Sequence, residues 1–340
     1  MKKSLLFAAV SAVLLFTTCK TDIDLLDDWK ETTIVYGLLD QSQPKQYIRI
    51  QKAYLGEGNA LTMAQVYDSI NYINQLDVKI EQWNGSVLVN TFNLQPDTIG
   101  NKETGVFAAP NMVLYSTSAV INNTSHTYKL VVNNTATGNT VTSETQLIGN
   151  FSISSPPGSA VNITKINPTY KITIAWNGAV YGRIYQPAMR FYYDEVDVNN
   201  VTTTRMLEWP LGTVKSAHTD GSDDLEVSFD PNDFYRFLKN NMPTASNIQF
   251  RDADHVDFVV YAGGDDLSTY MDVNAPSTSV VQERPIFTNI ENGVGLFSSR
   301  FRVVRANYSL SPNTLDTLAY GNNSCQLKFK DRNGNIGFCQ

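Results

Sequence analysis

Apolar residues in this chain recur at every second position in short runs, and turn residues cut each run off within about ten residues. Gln46-Tyr47-Ile48-Arg49-Ile50-Gln51 and Asp77-Val78-Lys79-Ile80-Glu81-Gln82-Trp83 are two clear cases; Thr127-Tyr128-Lys129-Leu130-Val131-Val132 is a third. A period of two sorts side chains onto the two faces of a pleated strand and does not fit a helix, whose faces repeat roughly every 3.6 residues. The chain is therefore built from sheets. Its composition agrees, because charged residues are only 17% while Asn, Thr, Ser, Tyr and Val are abundant. Seventeen tyrosines and sixteen phenylalanines supply large anchors for sheet cores.

In chain order, strands are expected at Thr33–Leu39, 46–51, 77–83, 86–89, near Phe107, and at 113–115, 127–132 and 140–145. Asn84-Gly85 stands between two alternating runs, the strongest short hairpin signal, since both central residues of a type I′ turn need positive φ. Gly56-Glu57-Gly58-Asn59 breaks the pattern, and Asn59 is placed to cap a helix carrying Met63, Val66, Tyr67 and Ile70 on one face. Pro156-Pro157-Gly158-Ser159 reads as a linker. Beyond it, strands are expected at 171–176, 189–196, 201–209, 225–229 and 256–261. Asp230-Pro231 starts a short helix near 231–240, with Phe234, Phe237 and Leu238 on its apolar face and Asn240-Asn241 at its end. A second Asn-Gly hairpin is expected from Gln326 to Phe338. With 340 residues, 42% of them hydrophobic, the chain can bury two cores. The expected fold is mainly β: an immunoglobulin-like sandwich over 32–149 and a fibronectin type III-like domain over 150–340, with one or two short helices inserted.

The N-terminus carries an address. Lys2 and Lys3 precede an apolar run from Leu5 to Phe16, too short to span a bilayer and laid out like a signal peptide over 1–18. Leu15-Phe16-Thr17-Thr18-Cys19 then reads as a lipoprotein processing site, although Phe16 and Thr18 depart from the usual lipobox. Cys19 is the expected lipidation site, bearing acyl chains of the palmitate class. Residues 19–31, with Asp22, Asp24, Asp27 and Asp28, form an acidic tether. The remaining cysteines, Cys325 and Cys339, lie across the expected C-terminal hairpin. A bridge between them is expected in an oxidising compartment and would contribute about 3 kcal/mol in the chain-entropy model. Two free thiols are the alternative.

The formal charge of -7 becomes 24 basic against 33 acidic residues once Lys2 and Lys3 leave, and no basic run exists, so nucleic acid is a poor partner. His126, His218 and His255 are far apart in sequence, with no zinc spacing, and no metal or cofactor is expected. His255 within Asp252-Ala253-Asp254-His255-Val256-Asp257 reads as a strand edge. Asp194–Asp197, Asp220–Asp224, Gly263–Asp266 and Asp331–Asn335 read as solvated turns more readily than as calcium loops. No nucleophile elbow or phosphate loop occurs, so no catalytic residue is assigned and the chain is not expected to be an enzyme.

Three stretches resemble a lipoprotein family of unknown function from the Bacteroidota. They are Leu38-Leu39-Asp40 through Tyr47-Ile48-Arg49-Ile50, then Asp233-Phe234-Tyr235-Arg236-Phe237-Leu238, and finally Pro285–Phe297 with its Asn-x-x-x-Gly-x-Gly-x-Phe core. The resemblance implies two sandwich-like domains at the surface of the outer membrane, often encoded beside TonB-dependent receptors, and it carries over no functional residue. Triplets of the Asp-(Ser/Thr)-apolar type used for O-glycosylation in exported proteins of that phylum mark Ser69, Thr98 and Thr317. The expected role is a lipid-anchored surface module that binds, serving an outer-membrane receptor or transport system. A fimbrillin-like assembly subunit, processed after Lys30 or Arg49, is the alternative. A glycan- or peptide-acting enzyme with carboxylates converging from distant strands is the third reading.

Overall fold

The computed structural model describes residues 32–53, 59–100, 102–244, 246–276 and 286–339. Cys19, the signal segment and the acidic tether lie outside the described residues, as does Pro285 of the third resembling stretch. Strands hold 48% of the chain and helices 14%, which makes the fold mainly β with a sandwich layout.

The N-terminal half uses β1 (Thr33–Asp40), β2 (Gln46–Lys52), β3 (Leu76–Asn84), β4 (Val87–Ile99), β5 (Met112–Thr117), β6 (Thr127–Asn134) and β7 (Thr140–Gln146). The sandwich closes because β4 changes partner. Its first part pairs with β3, from Asn84↔Val87 to Val78↔Leu94, and its second part pairs with β5, from Gln95↔Ser116 to Ile99↔Met112. One layer is thus β1-β2-β5 with the end of β4; the other is the start of β4 with β3-β6-β7. Alternation points Val35, Leu39, Ile48 and Ile50 from the first layer at Val78, Ile80, Leu130 and Val132 from the second, and all eight are buried in one cluster.

The C-terminal half uses β8 (Ile153–Ser155), β9 (Ala160–Val161), β10 (Ile172–Asn177), β11 (Ile184–Asp197), β12 (Thr202–Pro210), β13 (Val214–Lys215), β14 (Asp224–Phe229), β15 (Ile248–Gly263) and β16 (Gly293–Leu310). The ribbon β12-β11-β15-β16 faces the three-stranded sheet β14-β10-β8. Trp176, Phe191, Phe258 and Phe329 fill the space between, joined by Phe234 and Leu238 of a helix and Leu318 of another. The first core cluster runs to Leu147 and the second begins at Ile148, but Ile290 and Phe297 return to the first. The two clusters are tied together by β16, which pairs parallel with β1 from Thr33↔Gly293 to Asp40↔Arg300 and antiparallel with β15 from Gly263↔Arg300 onward. The Pro156–Ser159 stretch is held along this strand: Tyr308 donates to the Pro156 carbonyl at 2.6 Å, and the Ser309 amide donates to the Ser159 carbonyl at 2.9 Å.

Five short α-helices are described: α1 (Ala60–Ala64), α2 (Tyr67–Ile70), α3 (Pro231–Asn241), α4 (Asp265–Asn274) and α5 (Pro312–Tyr320). No helix among the described residues is long and apolar enough to cross a membrane. Asn59 caps α1 as expected, accepting from the Leu61 amide at 2.9 Å. The single helix expected there is two, however, because Val66 adopts extended geometry between them and stays exposed. The Asn84-Gly85 turn is shifted by one residue. Asn84 remains in β3 opposite Val87, and only Gly85 has positive φ, so Gly85-Ser86 is the central pair, with glycine first as in a type II′ turn. Phe107 is not in a strand. The expected C-terminal hairpin is reduced to one bridge, Lys330↔Ile336, because Lys328 takes a left-handed conformation after a 3-10 turn at Cys325–Leu327. Cys325 and Cys339 are joined by a disulfide across that loop, with Cα atoms 4.9 Å apart.

A candidate ligand cleft between β1, β2 and α4

The outward faces of β1 and β2 carry Tyr36, Leu38 and Tyr47, and β16 adds Leu296 and Arg300 beside them. Helix α4 lies over this surface, and a cleft of about 530 Å³ remains beneath it, lined also by Leu267 and Tyr270. The helix is fixed at its start. The Gly264 amide donates to the Ser299 carbonyl at 3.1 Å, and Asp266 accepts from the Asn289 amide group at 2.8 Å. Its outer side is fixed by Lys215 on Asp272 at 2.5 Å and Arg183 on Asp265 at 3.0 Å.

The cleft combines an apolar floor with polar edges. Tyr36 and Tyr270 meet edge to face at 6.1 Å, and their hydroxyls are 3.4 Å apart. That shared hydrogen bond, with burial, pushes the Tyr36 phenol up to about 12. The Lys45 ammonium sits over the Tyr47 ring, 5.2 Å from its centre, and bonds Asp97 at 2.6 Å. The Asp97 contact raises the Lys45 pKa, and the Lys45 contact lowers that of Asp97. Arg300 faces Asp40 at 3.3 Å. Asp40 is further held by the amide and hydroxyl of Ser42, at 3.0 and 2.6 Å, and Gln46 clamps the Asp40 backbone from both sides. Three phenols, three leucines and two cations already balanced by carboxylates suit a compact amphipathic ligand with little net charge.

Sequence reasoning did not assemble this cleft. Tyr36 and Tyr47 were visible as aromatic residues in alternating runs, but Leu267, Tyr270, Leu296 and Arg300 come from the far end of the chain. The third resembling stretch does have a structural explanation. The Asn289 side chain accepts from the Phe297 amide at 3.0 Å and donates to the Phe297 carbonyl at 2.7 Å, so it locks the entry to β16. Gly293 and Gly295 lie against the carbonyls of Thr33 and Val35, where a side chain would meet the β1 backbone.

The other expected positions are dispersed. Thr98 is exposed on β4, while Ser69 is half-buried in α2. Thr317 is half-buried in α5, and its hydroxyl donates to the Asn313 carbonyl at 2.7 Å. Arg49 lies inside β2 opposite Tyr36. His126 meets Gln82, His218 meets Asp223, and His255 stacks on Tyr192 at 4.4 Å while meeting Asp254. The carboxylates of Asp197, Asp220, Asp223 and Asp331 each accept from neighbouring backbone amides. No group of three or more candidate metal ligands converges among the described residues.

No family model and no curated protein matches the chain. Among solved structures, the C-terminal globular domain of an oligosaccharyltransferase from Pyrococcus abyssi is similar at 12% identity and a TM-score of 0.24. It aligns over 68% of this chain, which spans about half (47%) of that one. A cytokine receptor complex is similar at 10% identity and a TM-score of 0.20, over 69% of this chain and 86% of that one. Similarities with TM-scores this low carry no argument.

Proposed function

We propose that the chain is an outer-membrane lipoprotein, anchored through acylated Cys19 and facing the cell exterior, that acts by binding as an accessory to a receptor or transport system. The observation that carries the binding role is the tyrosine-lined cleft under α4, whose walls are pinned by hydrogen bonds and ion pairs before any ligand arrives. Preformed walls reduce the ordering cost of binding. The anchor keeps the cleft at the membrane, where a receptor of the TonB-dependent class is the expected partner.

The test uses the tagged full chain in its native host. Cys19→Ala should move the protein from the membrane to the soluble fraction. Chemical cross-linking with mass spectrometry on the anchored protein should recover an outer-membrane receptor, and Tyr36→Ala with Tyr270→Ala should abolish that cross-link while leaving the anchored protein folded. Retention of Cys19→Ala in the membrane defeats the anchor. An undiminished cross-link in the tyrosine variant defeats the cleft.

A further inference from the structure

A second surface lies at the other end of the first sandwich from the cleft. Thr33 pairs with Lys52, and the Thr32 carbonyl accepts from the Ala53 amide at 2.9 Å. Strand β5 begins at this same end, because Thr117 at its close pairs with Gln46 at the start of β2. The chain therefore enters the sandwich at the end from which α1 and the connection from Ile99 to Met112 project. The cleft leans the other way, and its lining includes Asp40, Gln43, Lys45 and Gln46 of the β1–β2 turn. The eight residues of β1 set the two ends about 25 Å apart, at about 3.3 Å per residue.

The projecting part is an apolar knob held together by polar bonds. The Ala108 amide donates to the Ala64 carbonyl at 2.8 Å, and the Gln65 side chain donates to the carbonyls of Gly105 and Val106, both at 3.1 Å. Leu61 stands one helical turn before Gln65 and so on the same face. With these bonds made, Leu61, Val66, Val106 and Phe107 remain 65%, 44%, 54% and 47% exposed, and α1 buries only Ala64. Ile73 is exposed at the same end, where its neighbour Tyr72 meets the Thr33 hydroxyl at 2.8 Å. The Lys102 ammonium sits 5.6 Å from the centre of the Phe107 ring and donates to the carbonyls of Phe107 and Ala108 at 3.2 and 2.7 Å. Aromatic and aliphatic side chains with lysine beside them are the composition of surfaces that lie in a membrane interface.

We infer that this knob dips into the lipid bilayer and stands the sandwich upright, with the cleft turned away from the membrane. The inference rests on the reading of Cys19 as the anchor. Residues 19–31 join that anchor to Thr32, and thirteen residues reach at most about 45 Å. The end that carries the knob is therefore the end held nearest the bilayer. Acyl chains alone leave the orientation free, and the knob adds the contact that fixes it. Charge narrows the occupant further. Lys52 and Lys102 are offset by Asp68, just after Val66, and by Glu103, beside Lys102. Neither a strongly acidic nor a strongly basic partner is favoured, so apolar burial supplies the attraction and lipid headgroups without net charge suffice.

The test uses the chain from residue 19 with Cys19→Ala and an N-terminal polyhistidine tag, held on phosphatidylcholine vesicles that contain nickel-chelating lipid. Attachment then does not depend on acylation, so failure of the Cys19 reading and failure of the knob are told apart. Because Cys325 and Cys339 are bridged, Leu61→Cys supplies a single free thiol for a nitrobenzoxadiazole dye. On the vesicles its emission should shift to the blue and be quenched by spin-labelled lipid tails. The same dye on Val87→Cys should do neither, since Val87 is equally exposed at 65% but starts β4, whose last residue Ile99 lies at the knob end opposite Met112. Phe107→Asp should lower the inserted fraction of the Leu61 label by about tenfold, with the circular dichroism spectrum unchanged. A Leu61 label that stays in water on the vesicles, as a knob covered by a protein partner would leave it, overturns the proposal. So does a blue shift that grows with protein concentration in the absence of lipid, as pairing of two copies would give, and so do equal shifts at Leu61 and Val87.

Discussion

Gly295 is the position where one methyl group should cost the most. It lies in β16 opposite Val35 of β1, with φ of +122°. A Cβ placed there would overlap the Val35 carbonyl oxygen and sit only 2.9 Å from the carbonyl carbon. Both obstacles are backbone, so no rotamer change relieves them. Two costs follow from Gly295→Ala. Holding alanine in a glycine-only conformation costs about 1–3 kcal/mol. Letting β1 retreat gives up about two ladder hydrogen bonds, worth about 1 kcal/mol each. Together they come to about 3–5 kcal/mol, a large share of the roughly 5–15 kcal/mol that holds a typical domain folded.

Gly212 supplies the control. Its φ is +100°, yet no atom lies within 4 Å of where its Cβ would stand. Gly212→Ala therefore carries the conformational cost without the collision. Urea denaturation followed by far-ultraviolet circular dichroism should place Gly295→Ala about 2 kcal/mol below Gly212→Ala. Equal losses in the two variants would refute the reasoning, because they would mean that β1 and β16 have room to part.

Two further outcomes rest on single side chains. Arg251 is 1% exposed and holds Glu195 at 2.9 Å, the Leu327 carbonyl at 2.8 Å and the Pro243 carbonyl at 2.8 Å; Arg251→Met should cost about 3 kcal/mol in the same urea experiment, since it leaves a mostly buried carboxylate with only the longer contact to Arg205 at 3.6 Å and two carbonyls without their donor. Burial alone would raise the Asp331 carboxyl, but hydrogen bonds from Asn335, Tyr320 and the Asn333 amide prevail and hold it at about 2. A depressed carboxyl stabilises the fold above its ordinary value of about 3.9 and loses that effect as pH falls toward about 2. The protection of the Asn333 and Asn335 amides against hydrogen exchange, taken relative to the intrinsic rate at each pH, should therefore fall between about pH 4 and pH 2, and Asp331→Asn should remove that dependence.

Local grammar was readable in the sequence, and its failures have local causes. Asp230-Pro231 announced α3, and Asp230 does accept from the Asn232 amide at 2.9 Å. Ser311-Pro312 carries the same signature for α5, with Ser311 accepting from the Thr314 amide. Asn333-Gly334 looked like the tip of a hairpin. In the fold, the Asp331 carboxylate gathers the amides of Asn333 and Asn335 at 2.9 and 2.8 Å. A turn satisfied by its own aspartate does not need long strand arms behind it. Asn84-Gly85 marked a real hairpin but misplaced its turn, because pairing of Asn84 with Val87 leaves Gly85 and Ser86 to make the reversal.

The parallel pair β1–β16 is of a different kind. Antiparallel neighbours are announced by the turn that joins them, but parallel strands need a long crossover and leave no local mark. Here the two strands stand at opposite ends of the sequence, so the cleft they support was invisible until they were aligned. Once aligned, two of the resembling stretches become one structural unit. The first supplies Leu38, Asp40 and Tyr47, and the last supplies Leu296 and the glycines that let β16 approach β1. Asn289 clamps Phe297 and also reaches Asp266 at the start of α4, so the residue that seats β16 seats the cleft's roof as well. Strand pairing and cleft geometry are therefore one constraint. A substitution that forces β1 from β16 at Gly295 should also shift Leu296 and Arg300 relative to Tyr36, and so distort the cleft even in molecules that remain folded.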